Sequence, residues 1–415
     1  MKSTLTPFFP LLLSTAILLM GNGLQGTLIP VRGDIETFSD TMLGIIGAAY
    51  FAGFLLGCLQ SARIVQRAGH IRAFAVFASL ASISPLLHAL FLDELLWILL
   101  RALTGYCFAG LYMVIESWIN EQASNEIRGR LFGFYLLVNL ASLTIGQLLL
   151  NLAPPQSISL FALASILGSL ALLPVSLTGS IQPAPIEKIR IDLKGLWQMS
   201  PIGLLGCFAI GLTNAPFWSL APIFARNAGF DIRGISFFMT AAIIGGAVAQ
   251  WPIGRLSDMV DRRWVMIGVC IGAAFGEIAL AFAPGRVGSS GLLAIAFVFG
   301  AFTLTLYSLC IAHTNDVVKK GDFVSVSGGL LLIYSFGAII GPVIASSAMP
   351  YLGDRVIFVF TAIVHVIFAG FVLFRIFRVA AIPPEKRPNF VSVPISRMAP
   401  EPVELDPRAN TEQHS

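Results

Sequence analysis

The sequence predicts an all-α integral membrane protein whose twelve transmembrane helices form two pseudo-symmetric six-helix bundles. Three observations predict this fold class: the composition, the spacing of the apolar runs and an internal repeat. Of the 415 residues, 56% are hydrophobic and only 12% are charged, whereas soluble proteins carry about 25% charged residues. An apolar run of about 20 residues crosses a bilayer as a helix, because a helix satisfies its own backbone hydrogen bonds there.

Twelve such runs, separated by short polar segments, follow one another along the chain. The first begins at Phe8. It is too long for the apolar segment of a signal peptide and no small-residue cleavage site follows it, so we expect a retained helix. The predicted spans cover residues 8–30, 42–62, 72–91, 95–118, 131–152, 158–178, 201–225, 235–253, 264–283, 290–312, 324–349 and 355–378.

A charged segment between the sixth and seventh spans divides the chain into halves. We expect a first six-helix bundle at 1–178, a cytoplasmic linker at 179–200 and a second bundle at 201–379. Residues 380–415 are rich in proline and are predicted to form a disordered cytoplasmic tail.

The basic residues predict the orientation, because lysine and arginine concentrate on the cytoplasmic side of a membrane. With both termini in the cytoplasm, Arg101 alone lies deep within a span, and most of the 26 lysines and arginines lie in cytoplasmic segments. The basic residues left outside are Arg32, Arg226, Arg233, Arg286 and Arg355. The reverse orientation would place most of the positive charge outside, so we expect cytoplasmic N- and C-termini.

The two halves resemble each other when the chain is shifted against itself. An offset of 192 residues relates the first two spans of each half, and an offset of 195 relates the fourth and fifth. The first offset aligns Asn22 with Asn214, Pro30 with Pro222 and Gly53 with Gly245. The second aligns Gly105 with Gly300, Tyr112 with Tyr307, Asn120 with Asn315, Glu121 with Asp316, Gly133 with Gly328 and Gly146 with Gly341. Parallel six-helix repeats place a substrate path between them, near the bilayer midplane.

Several classes of protein are disfavoured by what the sequence lacks. No GxxxxGK[ST] loop is present, which argues against nucleotide-driven pumping. No cluster of His, Asp or Cys lies at one membrane face, as a membrane enzyme would need, and the five cysteines all fall inside apolar runs without metal-ligand spacing. We therefore expect no enzymatic activity, no cofactor, no metal and no nucleic-acid partner.

Charged motifs follow the second span of each half. Gly254 to Arg263 reads GRLSDMVDRR and resembles the loop motif of the major facilitator superfamily, from which it departs at Met259 and Asp261. The first-half copy, ARIVQRAGHIR from Ala62 to Arg72, is more degenerate. RALTG, from Arg101 to Gly105, resembles the Arg-x-x-x-Gly element of the same family.

Other stretches resemble particular branches of that family. Glu121 to Arg130 is similar to a stretch of sugar-porter-like members. Gly337 to Pro342 matches a Gly-x-x-x-Gly-Pro element that exporters carry in the fifth helix, where this chain has only Ser142 to Gln147. Three stretches resemble a bacterial branch of permeases without an assigned substrate: residues 113–121, 312–316 and 323–331.

This resemblance implies a secondary active transporter of the bacterial inner membrane. Its two halves would rock around a central cavity lined by helices 1, 4, 7 and 10, and a small organic solute would pass by alternating access. We expect a monomer in the lipid bilayer, with protons as one candidate coupling ion. Two alternatives stay open: a drug or metabolite exporter as opposed to an importer, and a non-transporting sensor or scaffold with the same fold.

Polar and aromatic residues within the central spans are candidates for binding the solute, since a cavity lined by hydrogen-bonding groups and aromatic rings holds small organic molecules. The alternative for each is an interhelical hydrogen bond of about 0.6 kcal/mol. The candidates are Asn22, Gln25, Arg101, Tyr112, Asn214, Trp218, Gln250, Tyr307 and Tyr334.

Arg101 and three acidic or imidazole groups lie inside the spans. Because an arginine within the membrane seldom faces lipid, Arg101 either is tethered to backbone carbonyls or acts on a substrate or proton site, and an anionic substrate is one alternative. Glu116 lies on the same helical stripe as Arg101 and either pairs with loop arginines or couples protons. Glu277 and His365 lie at similar depths and could meet, for structural support or proton coupling.

The two charged motifs are candidates for a cytoplasmic gate that closes in the outward-facing state. The positive-inside rule alone accounts for the arginines of the first copy. It does not explain Asp258 beside Gly254, or Glu121 with Arg128 and Arg130 in the stretch after the fourth span. The gate candidates are Arg63, Arg67, Arg72, Glu121, Arg128, Arg130, Gly254, Asp258, Arg262 and Arg263. Six glycines of spans 2, 8 and 11 are expected to pack the two halves against each other, namely Gly53, Gly57, Gly245, Gly246, Gly337 and Gly341.

Overall fold

The computed structural model describes residues 8–122, 125–177, 192–318 and 323–379, and these are almost entirely helical. Within them, twelve helical segments are long and apolar enough to cross a bilayer, which confirms the predicted spans and the fold class. The first half contains α1 (Phe9–Ile35), α2 (Asp40–Ala68), α3 (His70–Leu90), α4 (Glu94–Gln122), α5 (Asn125–Leu149), α6 (Ile158–Leu170) and α7 (Leu172–Ser176). Together α6 and α7 form the sixth span.

The second half begins after the short helix α8 (Leu193–Met199), whose N-cap Asp192 accepts a hydrogen bond from the Gly195 amide. Its helices are α9 (Pro201–Asn227), α10 (Ile232–Met259), α11 (Arg262–Phe282), α12 (Ser289–Thr303), α13 (Leu306–Asn315), α14 (Phe323–Leu352) and α15 (Val356–Ile376). The tenth span consists of α12 and α13. Most of the predicted linker and the whole of the predicted tail lie outside the described residues.

Two faces of the bundle are distinguished by the chain direction. Because the number of spans is even, the described chain begins and ends on one side, which we call the terminal face. The opposite side, where α1 ends and α2 begins, is the far face. Both charged motifs belong to the terminal face, and their loops are shorter than predicted: α2 continues to Ala68 and α10 to Met259.

Both helices continue beyond the ends of their apolar runs. Their backbone hydrogen bonds persist outside the membrane, and their charged side chains are hydrated there. A single residue, Gly69, joins α2 to α3 with φ of 81°, a conformation that residues with a Cβ rarely adopt. The predicted second span ended at residue 62, before Arg63 and Arg67. In the structure both residues lie in the last turns of α2.

Close helix crossings repeat in the two halves. A Cβ atom on Gly53 of α2 would lie 1.8 Å from the carbonyl oxygen of Ala102 on α4, and one on Gly245 of α10 would lie 2.0 Å from that of Phe297 on α12. These four residues correspond at the offsets of 192 and 195. Since only glycine permits such approaches, the fold reproduces the repeat detected in the sequence.

A second pair of crossings follows the same correspondence. A Cβ on Gly146 would lie 2.5 Å from the carbonyl oxygen of Met20, and one on Gly341 would lie 2.5 Å from that of Leu212. The predicted packing between the halves was wrong for six glycines, because each of them packs against a helix of its own half: Gly53, Gly57, Gly245, Gly246, Gly337 and Gly341. Close packing between the halves involves Gly44 and Gly47 instead.

Candidate functional site

A small cavity lies where α1, α2, α4 and α9 meet, between the two halves. Its volume is about 20 Å³, which is enough for about one water molecule. Of the predicted solute-binding residues, Arg101 and Trp218 line it. The other lining residues are Gly26, Ile29, Pro30, Leu43, Ile46, Gly47, Tyr50, Phe51 and Ser219.

Arg101 is buried, with 6% of its surface exposed. Its guanidinium carbon lies 4.7 Å from the centre of the Tyr50 ring, a cation–π contact. Within the described part of the chain, neither Nε nor Nη1 has a hydrogen-bond partner. A tether through Nε or Nη1 would require a bond to a backbone carbonyl, and neither of these two nitrogens makes one.

The helical spacing explains why Arg101 reaches this cavity. Gly105, one turn further along α4, would place a Cβ 1.9 Å from the carbonyl oxygen of Tyr50. The glycine of the Arg-x-x-x-Gly element therefore brings α4 directly against α2, which places the arginine over the Tyr50 ring. Trp218 approaches the same cavity from α9 of the other half.

Aromatic rings connect the halves beside this cavity. The ring of Phe51 on α2 lies 6.5 Å from that of Tyr334 on α14, and Tyr334 lies 5.7 Å from Tyr307 on α13. Asn214 of α9 is fully buried next to Tyr334. The structure thus brings three of the predicted solute-binding residues together at the inner surface of the second half.

The remaining solute-binding candidates are also buried. Gln250 donates a hydrogen bond of 3.0 Å to Ser308 and so joins α10 to α13, as in the interhelical alternative. The Tyr112 ring packs 6.2 Å from Phe108 on its own helix. Asn22 and Gln25 are buried on α1.

The three proton-coupling candidates lie away from the cavity residues. Glu116 is buried on α4, close enough to Cys58 of α2 for an electrostatic interaction. The carboxylate of Glu277 on α11 and Nδ1 of His365 on α15 meet at 2.9 Å, both fully buried. Where side chains are described, no three His, Cys, Asp or Glu residues are grouped to hold a metal ion.

The second charged motif forms a buried network around Arg262. This side chain, only 1% exposed, pairs with Asp316 at 2.9 Å and with Asp258 at 3.0 Å, and it donates a hydrogen bond of 2.8 Å to the Ser257 hydroxyl. The network therefore joins the ends of α10, α11 and α13. These three partners belong to the second half, so the contacts hold three of its helix ends together.

Arg263 and Gly254 complete the second motif. Arg263 is held by both carboxylate oxygens of Asp261 and donates a hydrogen bond to the Val379 carbonyl oxygen at 2.8 Å. Gly254 is buried, and its carbonyl oxygen accepts a hydrogen bond from Ser257.

The first motif has a different environment. The exposed side chains of Arg63, Arg67 and Arg72 have no ion pair within the described ranges. In the repeat, at the offset of 192 residues, His70 occupies the position of Arg262. Its Nε2 lies 3.0 Å from the Ser117 hydroxyl. The side chains of the other three gate candidates lie outside the described residues, namely Glu121, Arg128 and Arg130.

An ion pair that sequence analysis missed joins the halves at the far face. Arg226, at the end of α9, donates through Nη1 to the Asp34 carboxylate at the end of α1. The two residues are separated by 192 positions, so they are equivalent in the repeat and meet on the pseudo-two-fold axis. The offset that aligned Asn22 with Asn214 could have identified this pair.

Two further contacts at the far face are related by the same pseudo-symmetry. The hydroxyl of Ser236 on α10 and the side chain of Asn151 after α5 are hydrogen-bonded at 2.8 Å. Their counterparts in the repeat are Gly44 on α2 and Ser346 on α14, which are in tight contact: a Cβ on Gly44 would lie 2.0 Å from the Ser346 hydroxyl oxygen. We call these three contacts the far-face seal.

The chain is similar in sequence to a family of membrane transporters. A model of the Major Facilitator Superfamily matches residues 11–201 and 203–405. An uncharacterized MFS-type transporter of Enterobacter sp. (strain 638) is 25% identical over 367 residues, which is 87% of this chain and 94% of the relative. The uncharacterized MFS-type transporter YcaD of Escherichia coli (strain K12) is 26% identical over 371 residues, or 88% of this chain and 95% of the relative.

Solved structures show the same fold. A point mutant of the nucleoside transporter NupG superposes with a TM-score of 0.79 at 12% identity, covering 89% of this chain and 100% of that one. NupG without that mutation gives a TM-score of 0.74 over 90% of this chain and 99% of its own. At this identity the likeness concerns the fold alone.

Proposed function

This chain belongs to the major facilitator superfamily, and from that premise we propose that it is a secondary active transporter of the bacterial inner membrane. A small organic solute crosses through the centre of the molecule as the two halves rock, which opens the central site to one side of the membrane at a time. The relatives named as MFS-type transporters support transport as the activity. The far-face seal carries the proposed mechanism.

The seal has the properties that alternating access requires. It consists of one ion pair on the pseudo-two-fold axis and two contacts related by that axis, so it closes the far face symmetrically. The Arg226 and Asp34 side chains are 39% and 21% exposed, and such a pair contributes about 0–1 kcal/mol. A seal of a few weak contacts can open when the halves rock, whereas a strongly stabilised one would trap a single state.

The distribution of basic residues assigns the faces. We propose that the terminal face, which carries both charged motifs, is cytoplasmic, and that the far face is periplasmic. The structure then represents the state closed to the periplasm. We propose that in this state the Arg262 network acts as a brace that moves the ends of α10, α11 and α13 as one rigid body.

Transport is tested by uptake into proteoliposomes. The purified protein would be reconstituted with either sign of an imposed pH gradient, and radiolabelled sugars, amino acids, nucleosides and organic acids would be added. We expect at least one class to accumulate above protein-free liposomes, and its dependence on the gradient would identify proton coupling and the direction of transport. Uptake equal to that of protein-free liposomes for every class would contradict the proposal and favour a sensor or scaffold.

The seal itself makes a prediction about charge. D34R places two guanidinium groups against each other, whereas the double exchange D34R/R226D restores opposite charges. The readout is alkylation of a cysteine introduced at Ile46, which lines the cavity, by a membrane-impermeant maleimide added from the periplasmic side. We expect D34R to react several-fold faster than the parent, since a partly exposed ion pair contributes up to about 1 kcal/mol. The double exchange should return the reaction to the parental rate.

Two controls define that result. Because exposed charges are screened by salt, the difference between D34R and the parent should shrink at about 1 M salt. A double exchange that stays as reactive as D34R would show that Asp34 and Arg226 do not act as a pair.

A further inference from the structure

The guanidinium of Arg101 is the most costly polar group in the described centre of the molecule. Burying a cation costs several kcal/mol unless opposite charge and hydrogen bonds compensate. Arg101 has the Tyr50 ring, but its buried Nε and Nη1 have no acceptor among the described residues. By contrast Arg262, which is equally inaccessible, has two carboxylates and a hydroxyl.

The unsatisfied nitrogens belong to a residue that lines the cavity between the halves. Arg101 comes from the first half and Trp218 with Ser219 from the second, so a group bound there contacts both moving bodies. Its cation–π partner, the Tyr50 ring, belongs to its own half, but that ring leaves the Nε and Nη1 groups without a hydrogen-bond acceptor. The missing acceptor is therefore expected to arrive with a ligand.

The lining of the cavity limits the chemistry of that ligand. Arg101 is the one cation among the lining residues, and no lining residue is acidic. The aromatic rings of Tyr50, Phe51 and Trp218 and several aliphatic side chains form the rest of the wall, together with the Ser219 hydroxyl. The single positive charge of the guanidinium is balanced by one carboxylate, which a guanidinium can bind through two parallel hydrogen bonds.

We propose that the transported solute is a small monocarboxylate with an apolar or aromatic body, and that Arg101 binds its carboxylate. This inference rests on the proposed function, because it names the solute of the same central site. The present cavity admits only one oxygen-sized group, so binding the whole solute requires α2 and α9 to move apart. The energy of the new Arg101–carboxylate contact then drives a change in the position of the halves.

The first test needs no ligand. R101M keeps an unbranched, flexible side chain and removes an uncompensated buried charge, so the ligand-free protein should become more stable, with Tm higher by about 2–4 °C. A tether would behave in the opposite way, because its loss leaves carbonyl groups unpaired. A fall in Tm for R101M, with R101K unchanged, would therefore overturn the proposal.

The second test uses matched pairs of acids and amides. Benzoate and isovalerate would be compared with benzamide and isovaleramide at about 20 mM and constant ionic strength. We expect the acids to raise the Tm of the wild-type protein by about 2 °C or more and the amides to have no effect. R101M should lose this response, and R101K should keep part of it.

The outcomes separate this inference from the proposed function. Stabilisation by both members of a pair, by neither acid, or equally in R101M overturns the monocarboxylate site, even if other solutes are transported. Stabilisation by the acids alone, without their uptake into proteoliposomes, supports the site and contradicts transport.

Discussion

Replacing Gly44 by valine should open the far face, which we propose is periplasmic. A Cβ at this position would lie 2.0 Å from the Ser346 hydroxyl oxygen and 2.7 Å from the carbonyl oxygen of Pro342. The second neighbour is backbone, so α2 and α14 must separate. Overpacking of this kind costs about 1–3 kcal/mol, which corresponds to about a 5- to 150-fold change in the ratio of closed to open protein.

The measurement is the rate at which a cysteine at Ile46 reacts with an impermeant maleimide from the periplasmic side, in a background without the five native cysteines. We expect G44V to react at least about fivefold faster than the parent. The matched control is G370V on α15, because no atom lies within 4 Å of a Cβ at Gly370. Equal rates for G44V and G370V would mean that the Gly44 contact does not close this face.

Loss of Arg262 should cause the largest loss of stability among single substitutions at the charged motifs. R262M removes the buried cation that holds Asp258 and Asp316 together, and the Asp316 carboxylate is only 3% exposed. Removing one partner of a buried ion pair costs about 3–5 kcal/mol, because the other charge stays buried without compensation. We expect a marked fall in Tm and in the yield of folded protein.

Two variants separate this effect from a general loss of positive charge. R255M removes an exposed arginine from the same helix end, where it lies over the Trp251 ring, and should change the unfolding free energy by less than about 1 kcal/mol. R262M/D316N should recover part of the stability that R262M loses, since the double variant no longer buries an unpaired carboxylate. If R262M and R255M are equally stable, the network is not a brace.

The spans were predictable because the bilayer imposes one requirement on every segment, an apolar length of about 20 residues with internal hydrogen bonding. The helix ends were not, because hydropathy marks the membrane boundary and not the end of the helix: α2 and α10 continue through Arg67 and Asp258. The repeat was visible in glycines such as Gly53 and Gly245, since an approach of about 2 Å to a carbonyl permits no other residue.

The central site was predictable in part. A single arginine within a span is expensive, which is why Arg101 was predicted as a candidate, and the structure places it at the cavity between the halves. Asp34 and Arg226 were not recognised as a pair, because each is an ordinary charge at a helix end, although the offset of 192 residues relates their two positions. Sequence position alone does not separate a cavity residue from a packing residue. Gln250 was predicted to bind the solute, and its side chain makes a hydrogen bond to Ser308 between two helices of one half.

The most direct measurement of the rocking mechanism is a pair of electron-spin distances in the same G44V background. Labels at Leu92 and Arg286, in far-face loops of the two halves, report the periplasmic opening, and labels at Leu177 and Met259 report the cytoplasmic side. Relative to the parent, we predict that the first distance increases while the second decreases, because rigid halves rock about the central site. An increase at the periplasmic face with no change at the cytoplasmic face would contradict alternating access by rocking.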